Sequence, residues 1–253
     1  MPALYETSAR LRPLRHGFFG RHGGASTGVY ASNNMSFTTG DDSAVVAANR
    51  TGVAAALGYD AADLVILRQT HSAIVHVVTG HAPADAVIEA DAMVTDRPGL
   101  LLGILTADCT PILLADAEAG IIGAVHAGWR GAVDGVIGNA VAAMLALGAH
   151  TDRVVAVIGP TISGPNYEVG PQFAAELLAI HPQASNRISL PPGGVEHFDL
   201  PGFVADRLTT TGIGAVDRVG ACTYAHPERY FSHRHATHQG IRTGRQVAVI
   251  GLT

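Results

Sequence analysis

Apolar positions recur along the chain with two spacings. A period near 3.6 residues, bounded by start and stop signals, predicts helices over 43–57, 132–147, 171–180 and 201–211. The first follows the acidic pair Asp41 and Asp42 and stops at Gly58. The second sets Val133, Val136, Ile137, Ala140, Val141 and Met144 on one stripe and stops at Gly148. The last two open on prolines, which a first helical turn tolerates. Shorter apolar runs predict strands over 64–68, 73–78, 86–94, 100–105, 111–115, 121–126, 154–158, 218–224 and 246–252. Several are apolar at every position, as in strands buried on both faces. The pattern predicts a mixed sheet system covered by helices. "LPPGGVEHFD" over 190–199 reads as a loop, with Asp199 capping the helix near Pro201, and no repeat of solenoid length is present.

Composition narrows the class. With 253 residues, 47% hydrophobic and 15% charged, the chain is ordered and long enough for one substantial core, and a single domain over 1–253 is expected. A formal charge of −5 argues against a nucleic-acid binder, which needs a basic face. Cys109 and Cys222 are too few for a disulfide framework and point to a reducing compartment, the cytoplasm. The N-terminal "MPALYETSARLRPLRHGFFG" has no signal-peptide apolar core. In the most apolar stretch, 100–129, Asp108, Pro111, Asp116 and Glu118 break the run before membrane-spanning length.

One of those breaks is chemical. "TADCTPILLAD" places Cys109 beside Asp108 inside a buried run, while "RQTHS" places His71 and "VHAGWRG" places His126 at the ends of other expected strands. Two imidazoles and a thiolate suit zinc, with water in the fourth position. Spacing alone leaves three roles for Cys109: core filler, metal ligand, or nucleophile with His126 as its base. "GRHGGAS" brings Arg21 and His22 beside glycines, and "HAGWRGA" puts Arg130 before a helix; each is a candidate anion site or an ordinary turn and surface charge. His233, His235 and His238 in "HRHATH" read as a solvated loop.

Seven ordered segments, "HGFFGRHGGAS", "YASNNMSFTTGDD", "QTHSAIV", "DAMVTDRPGLLLGILTADCTPILLAD", "GAVHAGWRGA", "IGPTISGPNYEVG" and "CTYAHPERYFSHR", together resemble the laccase-domain family almost from end to end. That family is known both as polyphenol oxidases and as purine nucleoside phosphorylases with adenosine deaminase activity. The resemblance implies an α+β fold, a single domain of mixed β-sheets flanked by helices, similar to a cysteine-dependent toxin deamidase. It also implies zinc on His71, Cys109 and His126. The chain departs from the family at Asn166, where cysteine is frequent, and in its histidine-rich tail.

On that reading the residues singled out above are expected to take the following roles. Cys109, His126 and Asp108 form the catalytic group, Asp108 either orienting a ligand or acting as general acid and base. Arg21 or Arg130 holds phosphate, and Asn34 and Gln69 hydrogen-bond ribose or base. The partners are a small nucleoside and phosphate, with neither nucleic acid nor membrane. The oxidase name implies copper instead, yet the paired His-X-His segments of multicopper enzymes are missing apart from "HRH". The zinc deaminase signature H-x-E with P-C-x-x-C is also absent. A cysteine hydrolase or amidase, including one that edits cell-wall precursors, is the other enzymatic reading; a binding-only protein is the non-enzymatic one.

Overall fold

The computed structural model of the protein describes residues 4–81 and 87–252, so the first residue of the strand expected over 86–94 lies outside the described residues. One sheet runs in the order β1 (Tyr5–Glu6), β2 (Arg15–Phe19), β13 (Gln246–Gly251), β6 (Leu101–Thr106), β3 (Leu64–Ile66). A second runs β12 (Ala215–Arg218), β9 (Val155–Ile158), β7 (Thr110–Asp116), β8 (Ile121–Ala127), β5 (Ala92–Thr95), β4 (Val75–Val77). A small hairpin joins β10 (Ile188–Ser189) to β11 (His197–Phe198), the second of which falls inside the expected loop. Parallel pairs occur at β3 with β6, β4 with β5 and β12 with β9; the other pairs are antiparallel, so both large sheets are mixed.

The sheets stack face to face and each carries helices outside, which explains the continuously apolar strands. Between the sheets, Leu113, Ala115, Ile122 and Ala124 meet Leu102, Ile104, Ala248 and Ile250. On the outer face of the first sheet, Val53 and Ala54 of α1 (Ser43–Ala56) and Leu57 just beyond it cover Leu101, Val247 and Val249. On the outer face of the second, Ile112, Leu114 and Val125 pack against α2 (Trp129–Asp134), α3 (Val136–Ala146), α4 (Phe173–Ile180) and α5 (Leu200–Thr210). Burial of each leucine, isoleucine or valine among these contributes about 1.5–3 kcal/mol, and each alanine less. The Asp42 carboxylate accepts hydrogen bonds from Ala44 and Val45 and caps α1, and Asp199 caps α5. Among the described residues no helix is long and apolar enough to cross a membrane.

Three expectations need correction. The helix expected over 132–147 begins earlier and divides at Gly135, whose φ of 98° is left-handed and interrupts the helix between α2 and α3. The strand expected over 218–224 lies upstream, at β12, because parallel pairing with β9 runs only from Ala215 to Arg218. Those residues alternate between partial burial and exposure at the sheet edge, so they lack the apolar run of an interior strand. "HRHATH" is not a loop: it forms α6 (His233–His238), started by the Ser232 side chain accepting from the His235 amide. With only Ala236 buried, α6 carries no apolar stripe to announce it.

Candidate metal centre and pocket

The chain passes from the first sheet to the second twice, between β3 and β4 and between β6 and β7. His71 lies on the first crossing and Cys109 on the second, while His126 is the penultimate residue of β8. Thr110 pairs with Ala127, so the antiparallel register of β7 and β8 brings Cys109 alongside the end of β8. The three candidate donor atoms fall within 4.8 Å of one another, with Cys109 Sγ 3.7 Å from His71 Nε2. His126 is 3% exposed, Cys109 half-buried and His71 exposed, so the cluster opens to solvent on one side.

Asp91, fully buried, organises this cluster. Its carboxylate accepts six hydrogen bonds: from the backbone amides of Thr70 (3.1 Å), His71 (2.9 Å) and Ser72 (2.6 Å), the hydroxyls of Thr70 (3.4 Å) and Ser72 (2.8 Å), and Nδ1 of His126 (2.8 Å). Its carbonyl oxygen also accepts from the His126 amide at 2.7 Å. An ionised carboxylate only accepts, so His126 donates from Nδ1 and turns Nε2 toward Cys109 and His71, where it offers a lone pair once that nitrogen is deprotonated. Burial works against ionisation of Asp91, but the bonds from His126 and Ser72 outweigh it and hold the carboxyl well below its ordinary range. The three successive amides fix His71 at φ 60°, a left-handed conformation that a histidine adopts only when its surroundings impose it.

Cys109 and His126 polarise one another. Burial opposes both charges, yet the neighbouring His126 and His71 lower the thiol below its ordinary value, and the thiolate and Asp91 raise His126. Gly128, next across the register, allows the close approach. A Cβ there would sit 2.6 Å from Cδ2 of His71 and 3.2 Å from Cys109 Sγ.

The donor set fits zinc. Tetrahedral donors with Zn–N and Zn–S bonds of about 2.0–2.3 Å stand roughly 3.3–3.7 Å apart, so a small inward closure of this cluster suffices. His71, Cys109 and His126 are the one group of three or more metal-capable His, Cys, Asp and Glu side chains among the described residues.

A pocket of about 220 Å³ opens over the cluster. His71, Cys109 and Asp108 line it, Trp129 and Tyr167 add aromatic surface, and Arg234 adds a guanidinium. A neighbouring hollow of about 300 Å³ shares Trp129 and contains Arg130, which lies over the indole at 5.0 Å. Arg234 Nη2 donates to the Glu168 carbonyl at 3.0 Å, and its guanidinium lies 5.3 Å from the Tyr167 ring centre.

The other residues singled out in the sequence stand elsewhere. Arg21 donates to the carbonyls of Ala31 (2.8 Å) and Pro227 (2.6 Å) and does not line the pocket. Asn34 is completely buried, its amide donating to Ser36, Thr39 and Asp41 and its Oδ1 accepting from the amides of Ser36 and Arg245. The Gln69 amide pairs with the backbone of Leu105 in both directions (2.7 and 2.8 Å), fastening the His71 segment to β6. Sequence reasoning missed Asp91, Tyr167 and Arg234. The signal for Asp91 was an acid between two alanines in an expected strand, the same anomaly that drew attention to Cys109.

Comparison with known proteins agrees with this architecture. A family model described as multi-copper polyphenol oxidoreductase laccase matches residues 15–253. A protein of Deinococcus radiodurans named purine nucleoside phosphorylase is 44% identical over 99% of this chain and 94% of its own length. A protein named adenosine deaminase RL5, from an unknown prokaryotic organism, is 35% identical over 86% of each chain. The crystal structure of the Bacillus licheniformis hypothetical protein YfiH superposes with a TM-score of 0.91 at 29% identity, over 100% of this chain and 97% of the other.

Proposed function

This chain belongs to the family of multi-copper polyphenol oxidoreductase laccases, and on that premise we propose that it is a zinc-dependent purine nucleoside phosphorylase. The proposed substrates are adenosine, inosine, guanosine or methylthioadenosine, with adenosine deamination as a second activity. One observation carries the reading: His71, Cys109 and His126 converge at the base of a pocket that His71 and Cys109 line together with aromatic surface and a guanidinium. The names of the Deinococcus and RL5 relatives support it.

Each residue then has a task. Trp129 and Tyr167 stack against the purine, and Arg234 holds phosphate by charge-assisted hydrogen bonds. Arg234, although it also meets Glu168, is the arginine that lines this pocket, whereas Arg21 serves two carbonyls elsewhere and Arg130 lies in the neighbouring hollow. In phosphorolysis a phosphate oxygen bonds to C1′ of the ribose as the glycosidic bond breaks, and the departing base takes the electron pair and the proton that the incoming phosphate gives up. His71, Cys109 and His126 would hold the zinc, while Asp91 keeps the His126 proton on Nδ1. Bound there, zinc would supply Lewis-acid chemistry for a substrate oxygen or for a water directed at C6 of adenine.

The test pairs metal content with turnover. Elemental analysis of untagged protein gives about one zinc per chain, lost in Cys109→Ala and His71→Ala, and phosphate-dependent release of the base falls with it. A His71→Ala protein with full zinc and full turnover removes the mechanism.

A second reading rests on the lowered thiol of Cys109 beside two imidazoles, which also describes a nucleophile. Iodoacetamide separates the two, since a zinc-bound thiolate is protected until chelation and a free one alkylates at once. Copper in this single site is read by the same elemental analysis.

A further inference from the structure

Asp108 separates Cys109 from the rest of its crossing segment, and all of its polar atoms on the pocket side are engaged. One carboxylate oxygen accepts from the Thr223 hydroxyl and the other from the Arg234 amide, both at 2.6 Å. Its carbonyl accepts from the Ile162 amide (3.0 Å) and the Thr161 hydroxyl (2.8 Å). The residue is 8% exposed and held at φ 89°, outside the usual range for a side chain with a Cβ. The backbone turn thus aims the carboxylate away from the solvent and toward the segment that begins α6. Arg234 and His233, the first two residues of α6, both line the pocket.

A general base must be free to turn toward its substrate, and each Asp108 carboxylate oxygen is already held by a hydrogen bond from another chain segment. Asp108 instead joins chain segments more than a hundred residues apart in sequence (|i−j| of 115 to Thr223 and 126 to Arg234). We propose that Asp108 is a positioning residue: its carboxylate ties the start of α6 to the strand end that carries Cys109, and thereby sets Arg234 at a fixed distance from the His71, Cys109 and His126 group. The inference rests on the phosphorylase reading for what Arg234 holds, but the tie itself does not. Phosphate affinity therefore depends on a residue that never touches phosphate.

Three substitutions test it in the zinc-loaded protein. Asp108→Gly removes the carboxylate while suiting the positive φ, and Thr223→Val removes one donor and leaves Asp108 in place. Both raise the KM for phosphate, about 10-fold in Asp108→Gly, with the nucleoside KM and zinc content retained. Asp108→Asn keeps an acceptor for the Arg234 amide and turns its NH₂ toward the Thr223 oxygen, so it rescues most of the affinity lost in Asp108→Gly. Hydrogen exchange at the Arg234 amide, measured without substrate, quickens in Asp108→Gly and stays slow in Asp108→Asn. Trp129, the sole tryptophan and a pocket residue, reports inorganic phosphate binding by fluorescence.

Two results overturn the proposal. One is wild-type exchange at Arg234 and wild-type phosphate KM in Asp108→Gly. The other is an Asp108→Asn protein that binds phosphate normally yet loses turnover, which makes Asp108 an acid–base group. A wild type that neither binds phosphate nor turns over any nucleoside overturns the phosphorylase reading instead, and the Arg234 exchange rates still decide whether Asp108 holds α6.

Discussion

Replacing Asp91 by asparagine exchanges one oxygen for an NH₂ group and leaves the shape of the side chain unchanged. The six donors around it make that exchange costly in either orientation. If the amide oxygen faces His71 and His126, the NH₂ group meets the backbone amides of Thr70 and Ser72, the latter at 2.6 Å from the atom it replaces. If the amide is flipped, the NH₂ group meets the His71 amide and His126 Nδ1, and His126 must move its proton to Nε2 to accept. The first orientation leaves two buried donors without an acceptor, a loss of about 2–6 kcal/mol. That is a large share of the 5–15 kcal/mol typical of a whole domain. The second orientation removes the lone pair that His126 offers a metal. Outer partners of metal-bound histidines typically contribute 10–100-fold in affinity, about 1.4–2.7 kcal/mol. Urea unfolding of the metal-free protein reads the first loss and zinc competition against a chelator reads the second. An Asp91→Asn protein with wild-type midpoint and wild-type zinc affinity refutes the reasoning.

Two further substitutions separate packing from electrostatics. Gly128 has an ordinary φ of −68°, so Gly128→Ala strains no backbone; its methyl displaces the exposed His71 ring, lowering zinc affinity about 10-fold or more with little change in urea midpoint, read by chelator competition. Asp116 is buried and accepts from the amides of His150 and Ala119 and from Arg153; burial opposes its charge, but these bonds depress its pKa. A carboxyl depressed in the folded state stabilises above its unfolded value of about 3.9 and loses that contribution as pH falls through the folded value. Asp116→Asn therefore lowers stability at pH 7 and flattens its decline on acidification, checked by urea midpoints at a series of pH values.

The parts of this molecule that were legible in the sequence share a physical cause. Strands buried on both faces must be apolar throughout, so β6, β7, β8 and β13 were visible, and a histidine or cysteine at the end of such a run stood out. Convergence of the three donors was not visible as geometry, because it depends on which sheet each strand joins and on the β7–β8 register. Asp91 was hidden within an apparent strand, of which only Ala92–Thr95 pairs as β5. Arg21, Asn34 and Gln69 have the chemistry of ligand contacts, but in the fold their polar groups are taken up by other groups of the chain: backbone for Arg21 and Gln69, backbone and the Thr39 and Asp41 side chains for Asn34. Arg234 went unremarked because α6 has almost no apolar face and its neighbours are histidines.

The two crossings that lead from the first sheet to the second have a mechanical consequence. Because the donors come from both of them and from the end of β8, an ion held by them fastens one layer of the molecule to the other at an edge already tied by hydrogen bonds through Asp91. Such a clasp strengthens the folded state in proportion to how far the free metal exceeds its dissociation constant, by about 2.7 kcal/mol at a hundredfold excess. Stripping the ion then loosens this seam first, opening the pocket end of the molecule while the interior between the layers, built on Leu113, Ile122, Leu102 and Ile250, keeps the rest closed.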